Sequence, residues 1–306
     1  MPLKVIDLFC SAGGSSLGAK LAGHQVVLAV DINSDALDAY QENHPEVTVW
    51  QRDILEIEAK DLPEADVLLG STPCTPFSIA NIWSRSLDMT LTNHFLRIVR
   101  EYKPKYWVLE NVPPVRNLLP AWVPQRYRRV LCAADYGVPQ QRYRLIAGNY
   151  PTPYQTHARN PAGNLRPWVR FGRIRETGEH RPLSKKAIAG LIRRTHKMGM
   201  KKNSFQVKII SDEDVLYTIT SSEYHGLRAG CQIVYEDGKL RRLTFLECVR
   251  GQSFPDDYVF KGNLKERWRQ VGDTVPPLLM KAVLEFGKPP KRLIEPPYTI
   301  KEGEAW

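Results

Sequence analysis

Hydrophobic positions in the first half of the chain fall into short, nearly unbroken runs separated by glycine, serine and acidic turns. Leu3 to Phe9 reads as a first strand, and Val26 to Val30, Val47 to Trp50, Val67 to Leu69, Tyr106 to Leu109 and Tyr143 to Ala147 repeat the pattern. Apolar runs without polar alternation point to strands covered on both faces. Helical spacing lies between them, over Ser16 to Ala22, from Asp35 to Tyr40, over Thr92 to Tyr102 and over Gln125 to Ala133. Alternating strands and helices predict an open parallel α/β sheet with its crevice at the carboxyl ends of the strands. Polar residues gather at those ends: Ser11 to Gly14, Asp31, Asp53, Thr72 to Cys74, and Glu110.

After Asn149 the pattern changes. Short strand-like pieces (Val207 to Ile210, Val215 to Thr220, Cys231 to Tyr235) alternate with turn residues. Arg242 to Val249 then reads as a helix and Gly251 to Pro255 as a turn. Asn263 to Gln270 leads into Val271-Gly272-Asp273-Thr274-Val275-Pro276-Pro277, and Leu278 to Glu285 is a last helix. Lys288 to Trp306 holds four prolines and little periodicity, which predicts a draped or loose tail. Between Ser78 and Thr92 periodicity is weak, and 79–91 is expected to be a cover over the crevice.

At 306 residues the chain can bury one large core or divide in two. The net charge of +10 is uneven: Pro151 to Leu240 has 16 Lys and Arg against 8 Asp and Glu, with its densest patch at Arg193, Arg194, Lys197, Lys201 and Lys202. Such a field suits a polyanion, and phosphate contact is the expectation for this stretch. The cysteines at 10, 74, 132, 231 and 248 are odd in number and widely spaced, which predicts neither a disulfide framework nor a metal site. No apolar run could span a bilayer and the first residues carry no signal-peptide pattern, so a soluble intracellular protein is expected.

Cys74 stands apart from the other thiols. Prolines bracket it in Gly70-Ser71-Thr72-Pro73-Cys74-Thr75-Pro76-Phe77-Ser78, at the end of a strand. A nucleophilic thiolate needs an electropositive, accessible setting, and Glu110, Arg142 and Arg144 are candidates to supply acid and cation.

The ordered motifs resemble the cytosine-5 DNA methyltransferase family. They are DLFCSAGGSSLG at 7–18, GSTPCTPFS at 70–78, ENV at 110–112, QQRYR at 140–144, RRLTFLECVRGQSFPDDY at 241–258 and QVGDTVPP at 270–277. The resemblance covers nearly the whole chain apart from 151–240. It implies a Rossmann-like S-adenosylmethionine-dependent methyltransferase sheet (1–150) and a smaller, mainly β or irregular target-recognition domain (151–265). A C-terminal helix (266–287) would complete the sheet domain, followed by the 288–306 tail. Phe9, Ser11, Ala12, Gly13 and Gly14 resemble the cofactor loop. Asp31 matches the acid for the ribose hydroxyls and Asp53 the one for the adenine amine, with Ile32, Ile54, Pro73, Asp273, Thr274 and Val275 completing the cofactor wall.

By the same resemblance Cys74 is the nucleophile and Glu110 the acid at the target base, with Arg142 and Arg144 arranging base and thiolate. Ser78, Arg85, Gln140, Arg193, Arg194, Lys201, Lys202, Thr218, Thr220 and Arg228 are the implied DNA contacts. The implied activity is methylation of cytosine carbon 5 at a short sequence in double-stranded DNA, after base flipping. A monomer without metal, prokaryotic or phage-encoded, working alongside a restriction endonuclease in the cytoplasm and associated with the nucleoid, is the expected context. A tRNA methyltransferase of the same architecture and an inactive DNA-binding relative are the alternatives. Two positions depart from the family pattern: Thr75 replaces a glutamine and Asp273 an asparagine.

Overall fold

A computed structural model describes residues 1–73, 88–199, 207–225 and 231–288, without the side chains of 194–199. Cys74, Ser78, Arg85, Lys201, Lys202, Arg228, most of the expected cover and nearly all of the tail lie outside the described residues.

The central sheet is built from β1 (Lys4–Leu8), β2 (Gln25–Asp31), β3 (Thr48–Gln51), β4 (Val67–Ser71), β5 (Tyr106–Asn111), β6 (Arg128–Cys132) and, after the two-residue β7 (Gln140–Gln141), β8 (Tyr143–Gly148). The order across it is β3-β2-β1-β4-β5-β8-β6. The first five strands in that order are parallel, and β8 pairs antiparallel with both β5 and β6. The helices α1 (Gly14–Leu21), α2 (Ser34–Asn43) and α3 (Thr90–Tyr102) connect the parallel strands.

Side chains of β1 alternate between two cores, which explains its unbroken apolar run. Val5 packs with Ala19 of α1 and with Leu279, Met280 and Val283 near the C-terminus. Ile6 and Leu8 pack on the other face with Phe95, Ile98 and Val99 of α3. Asp7 is the exception. It is fully buried and accepts a hydrogen bond from Ser16 Oγ (2.6 Å), which in turn accepts one from Tyr40 OH (2.7 Å). Burial pushes its carboxyl up to about 7.

Beyond Asn149, β9 (His157–Ala158) pairs with β10 (Arg166–Pro167), and β11 (Lys208–Ile210), β13 (Gln232–Glu236) and β14 (Lys239–Arg242) form a small sheet. The helix α4 (Lys185–Gly199) carries part of the basic patch. A short strand, β12 (Leu216–Tyr217), pairs with β7 in a separate two-stranded sheet and so ties this region to the segment that leads into β8. Its core holds Phe171, Ile174, Leu216, Ile219, Val234 and Phe254. The chain then returns through α5 (Phe245–Gly251), α6 (Leu264–Asp273) and α7 (Pro277–Leu284). A reciprocal capping box between Thr244 and Glu247 starts α5, and the Asn263 side chain caps α6.

Four expectations need correction. The sheet is mixed, because β8 returns from β6 through residues 133–142, without a crossover α-helix, and runs antiparallel between β5 and β6. Residues 125–133 are a single 3-10 turn followed by β6, not a helix. There Arg128 is buried, donating to the carbonyls of Val123, Arg116 and Pro120, while Val130 faces outward at 39% exposure. Pairing with β8, from Arg128↔Ala147 to Cys132↔Tyr143, overrides the local helical spacing. Strand structure at 215–220 is confined to β12, and α5 starts three residues later than expected because Arg241 and Arg242 end β14.

Candidate active site

The glycine turn between β1 and α1 is held from three sides. Phe9, Ser11 and Gly13 all have positive φ (62°, 47° and 97°), so the chain turns outward from the sheet rather than entering α1 directly. Asp31, at the end of β2, accepts from the Ser11 amide (2.8 Å) and the Asn33 amide (2.9 Å). Tyr258 OH donates to the Ala12 carbonyl (2.6 Å). Because that hydroxyl proton is committed, His44 Nε2 must donate to Tyr258 (3.0 Å), leaving Nδ1 to accept from Lys20 (2.9 Å). Burial, reinforced by Lys20, lowers His44 to about 4 and keeps it in this neutral form. A Cβ on Gly14 would collide with Thr274 Oγ1 and the Val275 carbonyl, so the segment after α6 closes directly on the turn.

These residues fit S-adenosylmethionine. Ile32 is 64% exposed beside Asp31, and Phe9 is half-buried on the other side of the turn. Exposed apolar surface next to a carboxylate suits a purine and its ribose diol. Asp31 uses two of its roughly four lone-pair positions on backbone amides, which leaves acceptors for hydroxyls. Asp53 is half-buried and caps the Leu55 amide (3.0 Å), and Ile54 beneath it is buried. Pro73 is exposed at the end of the described β4 segment.

On the opposite side of the crevice, the register of β4 and β5 sets Glu110 beside Ser71, three residues before Cys74. Glu110 is buried and pairs with Arg144 Nε (3.1 Å) on the neighbouring β8. Burial raises its carboxyl, with Arg144 and then Arg142 opposing the rise. Such an acid retains its proton at higher pH than an ordinary glutamate. Asn111 donates to the Thr72 carbonyl (3.1 Å) and to Thr72 Oγ1 (2.8 Å), and Thr72 Oγ1 meets Thr92 Oγ1 (3.0 Å). This clamp on the approach to Cys74 links β4, β5 and α3. Sequence reasoning missed it, although Asn111 in the Glu-Asn-Val motif was a signal.

Arg142 lies 2% exposed and donates to the carbonyls of Ile219 (2.8 Å), Gly272 (3.1 Å) and Thr274 (2.9 Å). It therefore acts on the site by fastening 219 and 272–274 to the sheet, with its charge still felt by Glu110. Gln140 needs correction as a DNA contact. Its side chain is fully buried, donating to the Gly251 carbonyl and Gln252 Oε1 (2.7 Å each) and accepting from the Ile219 amide (3.0 Å). Thr218 is half-buried on the Gln141 carbonyl (3.0 Å), while Thr220 and Arg193 are exposed. Among the described residues the cysteines are buried, and no cluster could hold a metal. No described helix is long and apolar enough to cross a membrane.

The model of the C-5 cytosine-specific DNA methylase family matches residues 3–119 and 125–286. The chain is 31% identical to the type II methyltransferase M1.HphI of Haemophilus parahaemolyticus, over 93% of this chain and 86% of that one. With M.NlaX of Neisseria lactamica it shares 30% identity over 92% and 95%. Among solved structures it resembles a DNMT2 of Spodoptera frugiperda (TM-score 0.69, 20% identity, 92% and 98% covered) and the Dnmt2 of S. pombe (0.68, 18%, 92% and 97%), likenesses of fold. The chain belongs to the C-5 cytosine-specific DNA methylase family, and its activity is transfer of a methyl group from S-adenosylmethionine to carbon 5 of cytosine in DNA.

Proposed function

We propose that the chain methylates one short sequence in double-stranded DNA through a covalent adduct between Cys74 and a flipped-out cytosine. The supporting observation is the β4–β5 register, with Glu110 beside the strand that leads to Cys74 and paired to Arg144. Carbon 5 of cytosine is a weak nucleophile. Addition of a thiolate at carbon 6 makes it enamine-like, dividing one hard step into two easier ones. Glu110 holds a proton at ring nitrogen 3 as charge enters the ring, and Arg144 fixes the orientation of that carboxyl. S-adenosylmethionine supplies an electrophilic methyl, held by the Phe9 to Gly14 turn, Asp31, Ile32, Asp53, Ile54, Pro73 and the Asp273 to Val275 segment. Loss of the carbon-5 proton and release of Cys74 restore the ring.

Carbon 6 cannot reach sulfur inside a stacked duplex, so the nucleotide is extruded. Residues 151–265 act as the recognition domain, with Arg193, Arg194, Lys201 and Lys202 on phosphates and Ser78, Arg85, Thr218, Thr220 and Arg228 around the target. Residues 1–150 and 266–287 form the catalytic domain, and 288–306 the tail. The protein works in the cytoplasm as a monomer alongside a restriction endonuclease, a pairing supported by its type II relatives.

The test begins with base-resolution mapping of cytosines methylated in a plasmid, with a tRNA pool as comparison. A duplex bearing 5-fluorocytosine at the mapped position is then incubated with protein and cofactor. A stable adduct at Cys74 is expected. Turnover on ordinary DNA without any adduct on the fluorinated duplex overturns the covalent route.

A further inference from the structure

Asp273 is the last residue of α6 and lies between the two halves of the site. The two residues after it, Thr274 and Val275, close on Gly14 of the glycine turn. The carbonyls on either side of it, Gly272 and Thr274, are both held by Arg142 (3.1 and 2.9 Å). Its backbone is thus fixed, whereas 48% of its side chain stays open.

The charges that act on it come from several elements: Arg144 on β8, Arg142 on the turn into β8, Glu110 on β5, and Arg269 and Glu266 on α6 itself. Arg269 Nη1 is 4.0 Å away, but the same guanidinium also pairs with Glu266 (2.7 Å). Once Glu110 carries the proton that the chemistry needs, Asp273 is the carboxylate left to offset Arg142 and Arg144. A sulfonium entering the crevice would otherwise meet a cationic wall.

We propose that Asp273 is a cofactor-selectivity residue, whose carboxylate favours the cationic sulfonium cofactor over its neutral thioether product. Methyl transfer breaks the sulfur–carbon bond, leaves the electron pair on sulfur and so removes its charge. The attraction to Asp273 therefore disappears with the transfer, which loosens S-adenosylhomocysteine and limits its inhibition of the next turnover. This inference rests on the cofactor reading of the glycine turn given above.

Titration calorimetry of the full chain and of Asp273→Asn tests it, using S-adenosylmethionine, the cationic amine analogue sinefungin, and S-adenosylhomocysteine. The substitution should weaken both cations about tenfold, the size of one charge pair in a half-open cleft, or about 1.4 kcal/mol. S-adenosylhomocysteine should bind within about twofold of wild type, which also shows that the variant is folded. Asp273→Glu should keep the preference. Equal shifts for all three ligands, or no shift for any, overturn the inference alone. Failure of wild type to bind any of them overturns the cofactor reading as well.

Discussion

Replacing Arg142 with lysine separates fastening from charge. The guanidinium holds three carbonyls that arrive from two distant segments, Ile219 on one side and Gly272 and Thr274 on the other. Lysine keeps the cation, so the field at Glu110 is retained, but its single nitrogen cannot reproduce the planar fork. Two carbonyls should lose a donor. A buried carbonyl left without one costs about 1–3 kcal/mol, so a loss of about 3 kcal/mol is expected. For a chain of 306 residues the entropy of unfolding is about 0.6 kcal/mol/K, which turns that loss into a fall of about 5 °C in Tm. Thermal unfolding followed by circular dichroism reads this directly. Arg144→Lys is the internal control. Its guanidinium reaches Glu110 and the adjacent Tyr143 carbonyl only at the edge of the crevice, so turnover should suffer more than Tm. A fall below about 1 °C for Arg142→Lys, or an equal fall for Arg144→Lys, would refute the fastening role.

Glu110→Gln should slow the single-turnover methylation step at least about 100-fold. In wild type that rate should decline as pH rises through the raised carboxyl pKa, and the variant should lack this limb; a variant that keeps it would exclude Glu110 as the proton carrier. Asp7 titrates near 7 when folded against an ordinary 3.8, so the folded state holds a proton that the unfolded chain releases. Stability contributed by that proton is full below about pH 4 and is lost as pH rises to about 7, by on the order of 4 kcal/mol at most. Asp7→Asn should therefore flatten the decline of Tm across that window, and identical slopes would rule out Asp7 as its source. Neutralising Arg193, Arg194, Lys201 and Lys202 together should reduce the slope of log affinity for DNA against log salt by about 3 to 4. An unchanged slope would move the phosphate contacts elsewhere.

The parallel half of the sheet was legible because strands buried on both faces must be apolar along their length. The two cores around Val5 and Ile6 show that requirement within one strand. In the antiparallel half β8 was legible for the same reason, but β6 was not, since it carries Arg128 and Arg129 and sits at the sheet edge. Its identity as a strand depends on β8 and on three carbonyls that accept from Arg128, none of them within reach of a local window. Beyond Asn149, β11 and β13 fall on apolar runs that the sequence shows, whereas β9, β10 and β12 are two residues long, too short for periodicity to speak.

In the site, the positions of candidate groups could be read but the tasks of long polar side chains could not. Asp31, Asp53 and Glu110 stand at or just beyond strand ends, where topology alone brings them to the crevice. Gln140, Arg142 and Arg144 share one short motif, yet their side chains part company. Gln140 is buried among 219, 251 and 252, Arg142 between 219 and 272–274, and Arg144 alone reaches Glu110. Which way each points was decided by acceptors from α5, α6 and the segment after β12, up to 132 residues away in sequence. An arginine written next to a catalytic motif can therefore be an anchor for the recognition region as readily as a group at the base. A buried guanidinium needs several acceptors in one plane, and only the folded chain reveals where those acceptors meet.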